Sequence, residues 1–197
     1  FAAGTGAVAA RDDAVALGHT AKALGANSIA IGRDAVATGS VALGAAALAG
    51  NGGTALGDVA VGTYMNGTTT AGTVAGTAVG QNAVADVSGA TALGTGAQAT
   101  AANSVAVGAG SKADGATFTT AAYAPAGATV AGSASTAEVS VGSAGNERRI
   151  TNVAAGGAPT DAVNVSQLKA AQAAATTHFY SVKSTNQYAG NYLNDGA

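Results

Sequence analysis

The side chains that could perform catalysis or bind a metal are few in this chain and lie far apart. His19 and His178 are the only histidines, there is no cysteine, and no His-Glu-x-x-His spacing occurs. An isolated histidine is typical of a surface or an interface rather than of a catalytic site. We therefore predict no catalytic residue, no metal site and no cofactor, and a protein that is not an enzyme.

Two short motifs resemble ligand sites but lack the residues that such sites need. Asp12 and Asp13 are adjacent, so on a strand they would point to opposite sides, and no oxygen-rich calcium loop accompanies them. The segment 108–112 resembles a phosphate-binding loop but lacks the Gly-Lys-Ser/Thr order and is not followed by a helix pattern. Both motifs are predicted to be turns.

A cluster of charge interrupts a chain in which charged residues make up only 9%. Arg148 and Arg149 follow Glu147 and precede Asp161. They could form a basic docking patch for acidic glycans, or they could pair with Glu147, Asp161 or backbone carbonyls across protomers. Because the guanidinium fork suits bidentate pairing in partly buried sites, we favour the structural role.

A five-residue pattern recurs down the first half of the chain: a small or polar residue, an aliphatic or Thr, Ala, an aliphatic, and Gly. Copies occupy 14–18, 28–32, 40–44, 58–62, 90–94 and 104–108, and weaker copies end at Gly57 and Gly80. The common step is fourteen residues, which is too short for helical repeats but sufficient for two short strands and two turns. The pattern predicts an all-β fold, a parallel β-roll whose coils stack about 4.8 Å apart.

The alternation within each copy separates two faces of the strand. We expect the larger apolar side chains to fill the roll; these are Ile29, Ile31, Val41, Leu43, Val59, Val61, Val105 and Val107. The central alanines would then face outward, where an exposed strand should instead vary among polar residues. We therefore expect alanine rows to join several rolls around a symmetry axis; the residues are Ala16, Ala30, Ala42, Ala60, Ala92 and Ala106.

The composition is typical of a fibrous or solenoid protein. Aromatic residues are 4%, there are 30 glycines, and the mean hydropathy is +0.28. A net charge of −2 indicates neither a nucleic-acid partner nor attraction to an anionic membrane. The chain opens within the repeat pattern and without a signal sequence, which we interpret as a fragment of a longer protein.

The repeat pattern divides the chain into a head at 1–110 and further segments. An irregular final coil or cap is expected at 111–137, a neck at 138–164 and a short helix at 165–178. Val165 and Leu168 begin a three-four apolar spacing that predicts a coiled coil. A loop is expected around Tyr64 to Gly67, and residues 179–197 read as the start of a further module.

The repeats resemble the heads of trimeric autotransporter adhesins, and two further strings strengthen this resemblance. They are Asn-Glu-Arg-Arg-Ile-Thr-Asn-Val at 146–153 and Asp-Ala-Val-Asn-Val-Ser-Gln-Leu at 161–168. The resemblance implies a homotrimer of left-handed β-rolls, a neck that narrows onto a coiled-coil stalk, and attachment of bacteria to host cells or extracellular matrix. It also implies a bacterial cell-surface passenger held in the outer membrane by a C-terminal anchor outside this sequence.

Several functional classes stay open at this point. A non-enzymatic adhesin head with many weak contacts is the main expectation, and a purely structural spacer that projects a separate binding tip is the alternative. A hexapeptide-repeat acyltransferase is disfavoured because its step is six residues. An ice-binding solenoid would need a regular threonine lattice, whereas Thr38, Thr54, the run 68–70 and Thr91 show no common spacing.

Overall fold

The computed structural model describes residues 1–38, 40–50, 52–62 and 76–176. The chain divides into two compact units. The first comprises Phe1–Ala122 and Ala134–Arg148, and the second comprises Tyr123–Ser133 and Arg149–Ala197. The expected loop around Tyr64, His178 and the expected module at 179–197 lie outside the described residues.

The first unit is a β-roll in which each coil contributes one strand to each of two parallel sheets. The first sheet has nine strands: β1 (Ala2–Ala3), β3 (Val15–Leu17), β5 (Ile29–Ile31), β7 (Val41–Leu43), β9 (Thr54–Leu56), β11 (Thr77–Val79), β13 (Thr91–Leu93), β15 (Val105–Val107) and β17 (Val139–Ser140). The second sheet has eight: β2 (Val8–Ala9), β4 (Lys22–Ala23), β6 (Val36–Ala37), β8 (Leu48–Ala49), β10 (Val61–Gly62), β12 (Val84–Ala85), β14 (Gln98–Ala99) and β16 (Lys112–Ala113).

Equivalent positions of successive coils pair with one another in both sheets. Ala16 pairs with Ala30, Ala30 with Ala42, and Ala92 with Ala106, all in parallel. The predicted stack of parallel coils with a spacing of about fourteen residues is therefore confirmed. The spacing is not uniform, since the step from Gly32 to Gly44 is 12 residues and the next, to Gly57, is 13.

The interior of the roll is built almost entirely from alanine. All buried hydrophobic residues of the described chain are alanines, most of them with no exposed surface, and the buried polar residues are Ser28, Ser104 and Ser111. Side chains of this size fill the space between two sheets only when those sheets lie very close together. Because each alanine buries little area, burial inside one roll stabilises it weakly, at about 0.8 kcal/mol for each buried carbon.

The expected assignment of the two strand faces is wrong. The alanines predicted at the contact between rolls are fully buried inside one chain: Ala16, Ala30, Ala42, Ala60, Ala92 and Ala106. The aliphatic residues predicted in the roll core are half-buried or exposed, and they point outward: Ile29, Ile31, Val41, Leu43, Val59, Val61, Val105 and Val107. The physical reason is steric, because the gap between the sheets has no room for a branched side chain.

The copy at 58–62 matches the pentapeptide but does not form its strand. Asp58 and Val59 lie in the turn between the sheets, Ala60 faces the interior, and Val61 belongs to the second sheet. The first-sheet strand of this coil is β9, which ends before Gly57. Val59 has a φ of 57°, a left-handed conformation that is rare for a β-branched residue.

The glycine that closes each pentapeptide forms a stack of its own. Gly18, Gly32 and Gly94 have φ values of 135°, 129° and 132°, in a region that side chains rarely adopt. A Cβ placed on Gly94 would lie 2.6 Å from the carbonyl carbon of Gly108 in the next coil. Glycine is therefore required both by its dihedral angle and by the close approach of the next coil.

The roll extends beyond residue 110, since β16 and β17 form its last coil. Between them the chain makes an excursion whose two ends are joined by Glu138. Its carboxylate accepts hydrogen bonds from the backbone NH of Gly115 at 2.7 Å and from the Thr117 hydroxyl at 3.3 Å. In the second unit, residues Val165–Thr176 form the helix α1, and the last two residues of the expected span lie outside the described residues.

We predict that Gly94→Ala lowers the free energy of unfolding by about 3 kcal/mol or more, because the new methyl meets backbone atoms of Gly108. Gly96→Ala is the matched control. Gly96 is also left-handed, at a φ of 65°, but nothing lies within 4 Å of its Cβ position, so a loss of about 1 kcal/mol is expected. Thermal and denaturant unfolding measure the loss of stability in both variants. Equal losses would contradict the explanation from the close approach of the next coil.

Candidate assembly surface and neck

The outer face of the first sheet carries two parallel columns of uncharged, mostly aliphatic side chains, which we call the seam face. One column is Val15, Ile29, Val41, Thr54, Thr77, Thr91, Val105 and Val139. The other is Leu17, Ile31, Leu43, Leu56, Val79, Leu93 and Val107. Neither column contains a charged residue, and Leu43 and Leu93 are 45% and 48% exposed. A contiguous apolar surface of this kind marks an interaction site.

The threonines of the seam face share one position in successive coils. Thr54 pairs with Thr77, and Thr77 pairs with Thr91. The expectation that Thr54 and Thr91 have no common register is therefore wrong. The irregular step between these coils concealed it, because 23 residues separate Gly57 from Gly80 where other steps are 12 to 14.

The outer face of the second sheet differs in chemistry. Its column is Val8, Lys22, Val36, Leu48, Val61, Val84, Gln98 and Lys112. A shallow cavity of about 400 Å³ opens there, with apolar walls that include Leu24 and Val36 and with Lys22 and Asp34 as its charged residues. Three of the eight side chains in this column are long and polar or charged, whereas the seam face has a second column that is wholly aliphatic.

The turns between the sheets place polar side chains along one edge of the roll. The Thr20 hydroxyl donates a hydrogen bond to the Asp34 carboxylate in the next coil, and Arg33 lies 3.7 Å from Asp34. His19 is exposed on the same turn, with Nδ1 3.4 Å from the Thr20 hydroxyl. Within the described ranges, no group of three His, Cys, Asp or Glu side chains is arranged to hold a metal.

Arg148 covers the end of the last coil. Its guanidinium donates hydrogen bonds to the Ser111 hydroxyl at 2.8 Å, to the Val141 carbonyl at 2.6 Å and to the Ala109 carbonyl. The arginine thus binds carbonyl groups of its own chain rather than Glu147 or Asp161. Sequence reasoning missed Ser111, since nothing in its neighbours distinguishes it from an ordinary turn serine.

Arg149 differs from its neighbour. It is exposed, and no ion pair or hydrogen bond of its side chain occurs among the described residues. The two arginines therefore have different roles, which adjacency in the sequence did not indicate.

A cleft of about 930 Å³ lies beside Arg148, between the start of the excursion and the segment that follows β17. Lys112, Asp114, Glu138 and Glu147 line it together with Arg148. Glu138 and Arg148 are both engaged in hydrogen bonds within the chain, so they contribute to the structure of this end of the roll.

In the second unit, two residues of the 161–168 string fasten the start of the helix. The Asn164 side-chain oxygen accepts from the Gln167 backbone NH at 3.2 Å, and the Gln167 side chain accepts in return from the Asn164 NH at 3.3 Å. This reciprocal arrangement is a capping box. Gln167 also accepts from the Gly156 NH and donates to the Gly156 carbonyl, so the helix start and the neck loop are joined. The Asn-x-x-Gln spacing was the available signal for both residues.

Two carboxylates of the neck accept hydrogen bonds from backbone NH groups. The NH groups of Ala158 and Gly157 bind the Asp161 carboxylate, each at 2.9 Å, and they lower its pKa. The pKa of Glu147 is lowered by hydrogen bonds from its own NH and from that of Gly145. Each carboxylate thus closes a tight loop of the neck while it is ionised.

The helix itself presents apolar residues to solvent. Val165 and Leu168, predicted as coiled-coil positions, are 67% and 64% exposed. An alanine-rich helix of 12 residues is marginal in isolation, and these two side chains bury little apolar surface among the described residues. In the parts of the chain that are described, no helix has the length and apolar character to cross a membrane.

Comparison with known proteins accounts for both units. The model of the YadA head domain repeat matches residues 1–19, 12–35, 74–97 and 88–111, and the model of the coiled stalk of trimeric autotransporter adhesins matches residues 149–191. The crystal structure of the collagen-binding domain of the Yersinia adhesin YadA superposes with a TM-score of 0.59 at 30% identity, over 81% of this chain and 83% of that one. The chain belongs to the YadA-like trimeric autotransporter adhesins.

Two further proteins are similar to parts of this chain. The autotransporter adhesin EhaG of Escherichia coli O157:H7 is 56% identical over 48 residues, which is 24% of this chain and 3% of EhaG. The adhesin thus spans a small part of the curated relative that it matches. A C-terminal YadA-like domain from Burkholderia pseudomallei is 34% identical, with a TM-score of 0.41 over 53% of this chain and 48% of that one. Passengers of this family are exposed at the bacterial surface and anchored in the outer membrane.

We predict that Arg148→Ala lowers the melting temperature of the roll, with a loss of about 1–2 kcal/mol, because three acceptors lose a charged donor. Arg149→Ala is the matched control and should leave the melting temperature nearly unchanged. Calorimetry measures the melting temperature of both variants. Equal melting temperatures would show that Arg148 does not stabilise the last coil.

The neck loops should loosen in acid. Since hydrogen bonding lowers the pKa of Asp161 in the folded state, its stabilising effect is present above the unfolded pKa and is lost as the pH falls through the folded value, below roughly pH 4. Hydrogen exchange at Gly157 and Ala158 should accelerate over this range after correction for intrinsic rates. In Asp161→Asn the dependence on pH should largely disappear, and its persistence would exclude Asp161 as the cause.

Proposed function

We propose that this chain forms a homotrimeric adhesin head in which three seam faces turn toward a common axis, while the second sheets and the turns face outward. The observation that carries the proposal is the pair of uncharged columns on the first sheet, whose aliphatic side chains are left half-exposed by a roll that cannot bury them. Family membership supports three copies.

The alanine interior explains why a single roll gains from such assembly. Burial within one chain rests on methyl groups, whereas the leucines, isoleucines and valines of the seam face retain exposed surface. Covering half of such a side chain contributes about 1 kcal/mol, and the contribution repeats at every coil and in every copy. The apolar core of the head thus lies between chains.

For the partner we propose a fibrous protein of the extracellular matrix, such as collagen. The support is that the structural neighbour from Yersinia is a collagen-binding domain and that EhaG is an adhesin. The outward column of the second sheet offers apolar side chains between Lys22 and Lys112, a pattern that repeats three times around a trimer. Weak contacts repeated along a fibre would gain strength from simultaneous engagement.

A second candidate is a structural spacer. The match to a coiled stalk and the small share of EhaG covered by this chain favour it, since such a segment could lengthen a fibre without binding anything. The two candidates share the trimer and differ in whether the outer surface binds matrix.

The trimer is tested by placing like charges on the seam face. Leu43→Glu together with Leu93→Glu should convert the trimer to monomer, because three carboxylates would meet at each of two levels. Val36→Glu with Val84→Glu, on the outer column of the second sheet, is the matched control and should remain trimeric. Sedimentation velocity distinguishes trimer from monomer for both variants. An intact trimer for the Leu43 and Leu93 variant would refute the proposal that the seam faces form the trimer interface.

The same proteins test adhesion. Binding to immobilised fibrillar collagen, with denatured collagen as the reference surface, should be strong for the trimeric parent and at least tenfold weaker for the dissociated variant. Absence of binding by a well-folded trimer would favour the spacer.

A further inference from the structure

Three threonines stand in the middle of an otherwise aliphatic column of the seam face. Thr54, Thr77 and Thr91 occupy consecutive coils, with Val41 before them and Val105 after them. Threonine is close to valine in shape, so the column keeps its width and changes only in polarity. We call these residues the threonine band.

The hydroxyl groups of the band have no hydrogen-bond partner among the described residues. Neighbouring coils are about 4.8 Å apart, and no hydrogen bond joins one hydroxyl of the band to the next in the described part of the chain. The backbone NH groups of these residues are already used by the sheet: Thr54 donates to Gly76, Thr77 to Ala90 and Thr91 to Ser104. The hydroxyls thus hold unused donor and acceptor capacity.

A hydroxyl group that becomes covered without a partner destabilises an interface. In a symmetric trimer the bands of three copies meet at the same level, where hydroxyls can bond to one another across the axis or through enclosed water. A threonine band that packs against valines of another roll would have no such hydrogen-bond partner. Such a mismatch would destabilise the trimer at all three coils that carry a threonine of the band.

We propose that the threonine band is a recognition element by which a roll selects other copies of its own chain, at the same axial level, over rolls whose column is aliphatic. This inference rests on the proposed trimer. A repetitive apolar face would otherwise accept any similar roll, because the aliphatic levels are nearly equivalent; a polar level within an apolar seam specifies its partner, as a buried asparagine does in coiled coils.

The test is self-sorting. The parent chain and the triple variant Thr54→Val, Thr77→Val, Thr91→Val are coexpressed with different tags, and native mass spectrometry counts pure and mixed trimers. We expect mixed trimers to be depleted about tenfold or more relative to random association. The variant should itself form trimers that melt at or above the parent temperature, because replacing all the hydroxyls by methyls removes every mismatch.

The control is Thr100→Val, which changes an exposed threonine at the edge of the second sheet. It should mix with the parent at random. Random mixing of the triple variant would overturn the recognition element while leaving the trimer intact. A parent chain that sediments as a monomer would instead refute the proposed trimer, and the inference with it.

Discussion

The two sheets of the roll lie so close that alanine and serine are the side chains fully buried between them, and the rest of the molecule depends on this spacing. It forces the larger aliphatic side chains outward and demands glycine where the chain leaves the first sheet. A single roll therefore keeps its most hydrophobic surface on the outside. The proposed trimer supplies from neighbouring copies the apolar core that each chain lacks.

The sequence was sufficient for the period and the class of fold but not for the orientation of the strands. Alternation of small and large side chains is satisfied equally well with either set inside. The pattern alone therefore does not show whether Ile29 or Ala30 faces the interior of the roll. What decides between them is the distance between the sheets, which belongs to the whole stack. The strand predicted at 58–62 is wrong for a similar reason. This segment has the residue types of the pentapeptide, but it forms a turn and the start of a strand in the second sheet.

The neck illustrates the opposite case, in which local sequence determines local structure. Asn164 and Gln167 form a cap that their three-residue spacing specifies, and Asp161 closes the preceding loop through backbone NH groups. Arg148 stands between the two cases. Backbone carbonyls were predicted as its partners, but those of other protomers, whereas the carbonyls it binds belong to its own chain. Its partner Ser111 lies 37 residues earlier and could be found only after the coils were stacked.

Val61 pairs directly with Val84, and Thr54 with Thr77, although the chain between these strands is longer than in other coils. The parallel pairing of the coils therefore continues across this longer step. Ala55 and Ala60 before the longer step and Ala78 and Ala83 after it are all fully buried, and buried glycines, Gly53, Gly62 and Gly76, stand at the interior positions nearest to it. A stack of this kind can therefore vary the length of chain between two coils while the register of the scaffold is kept.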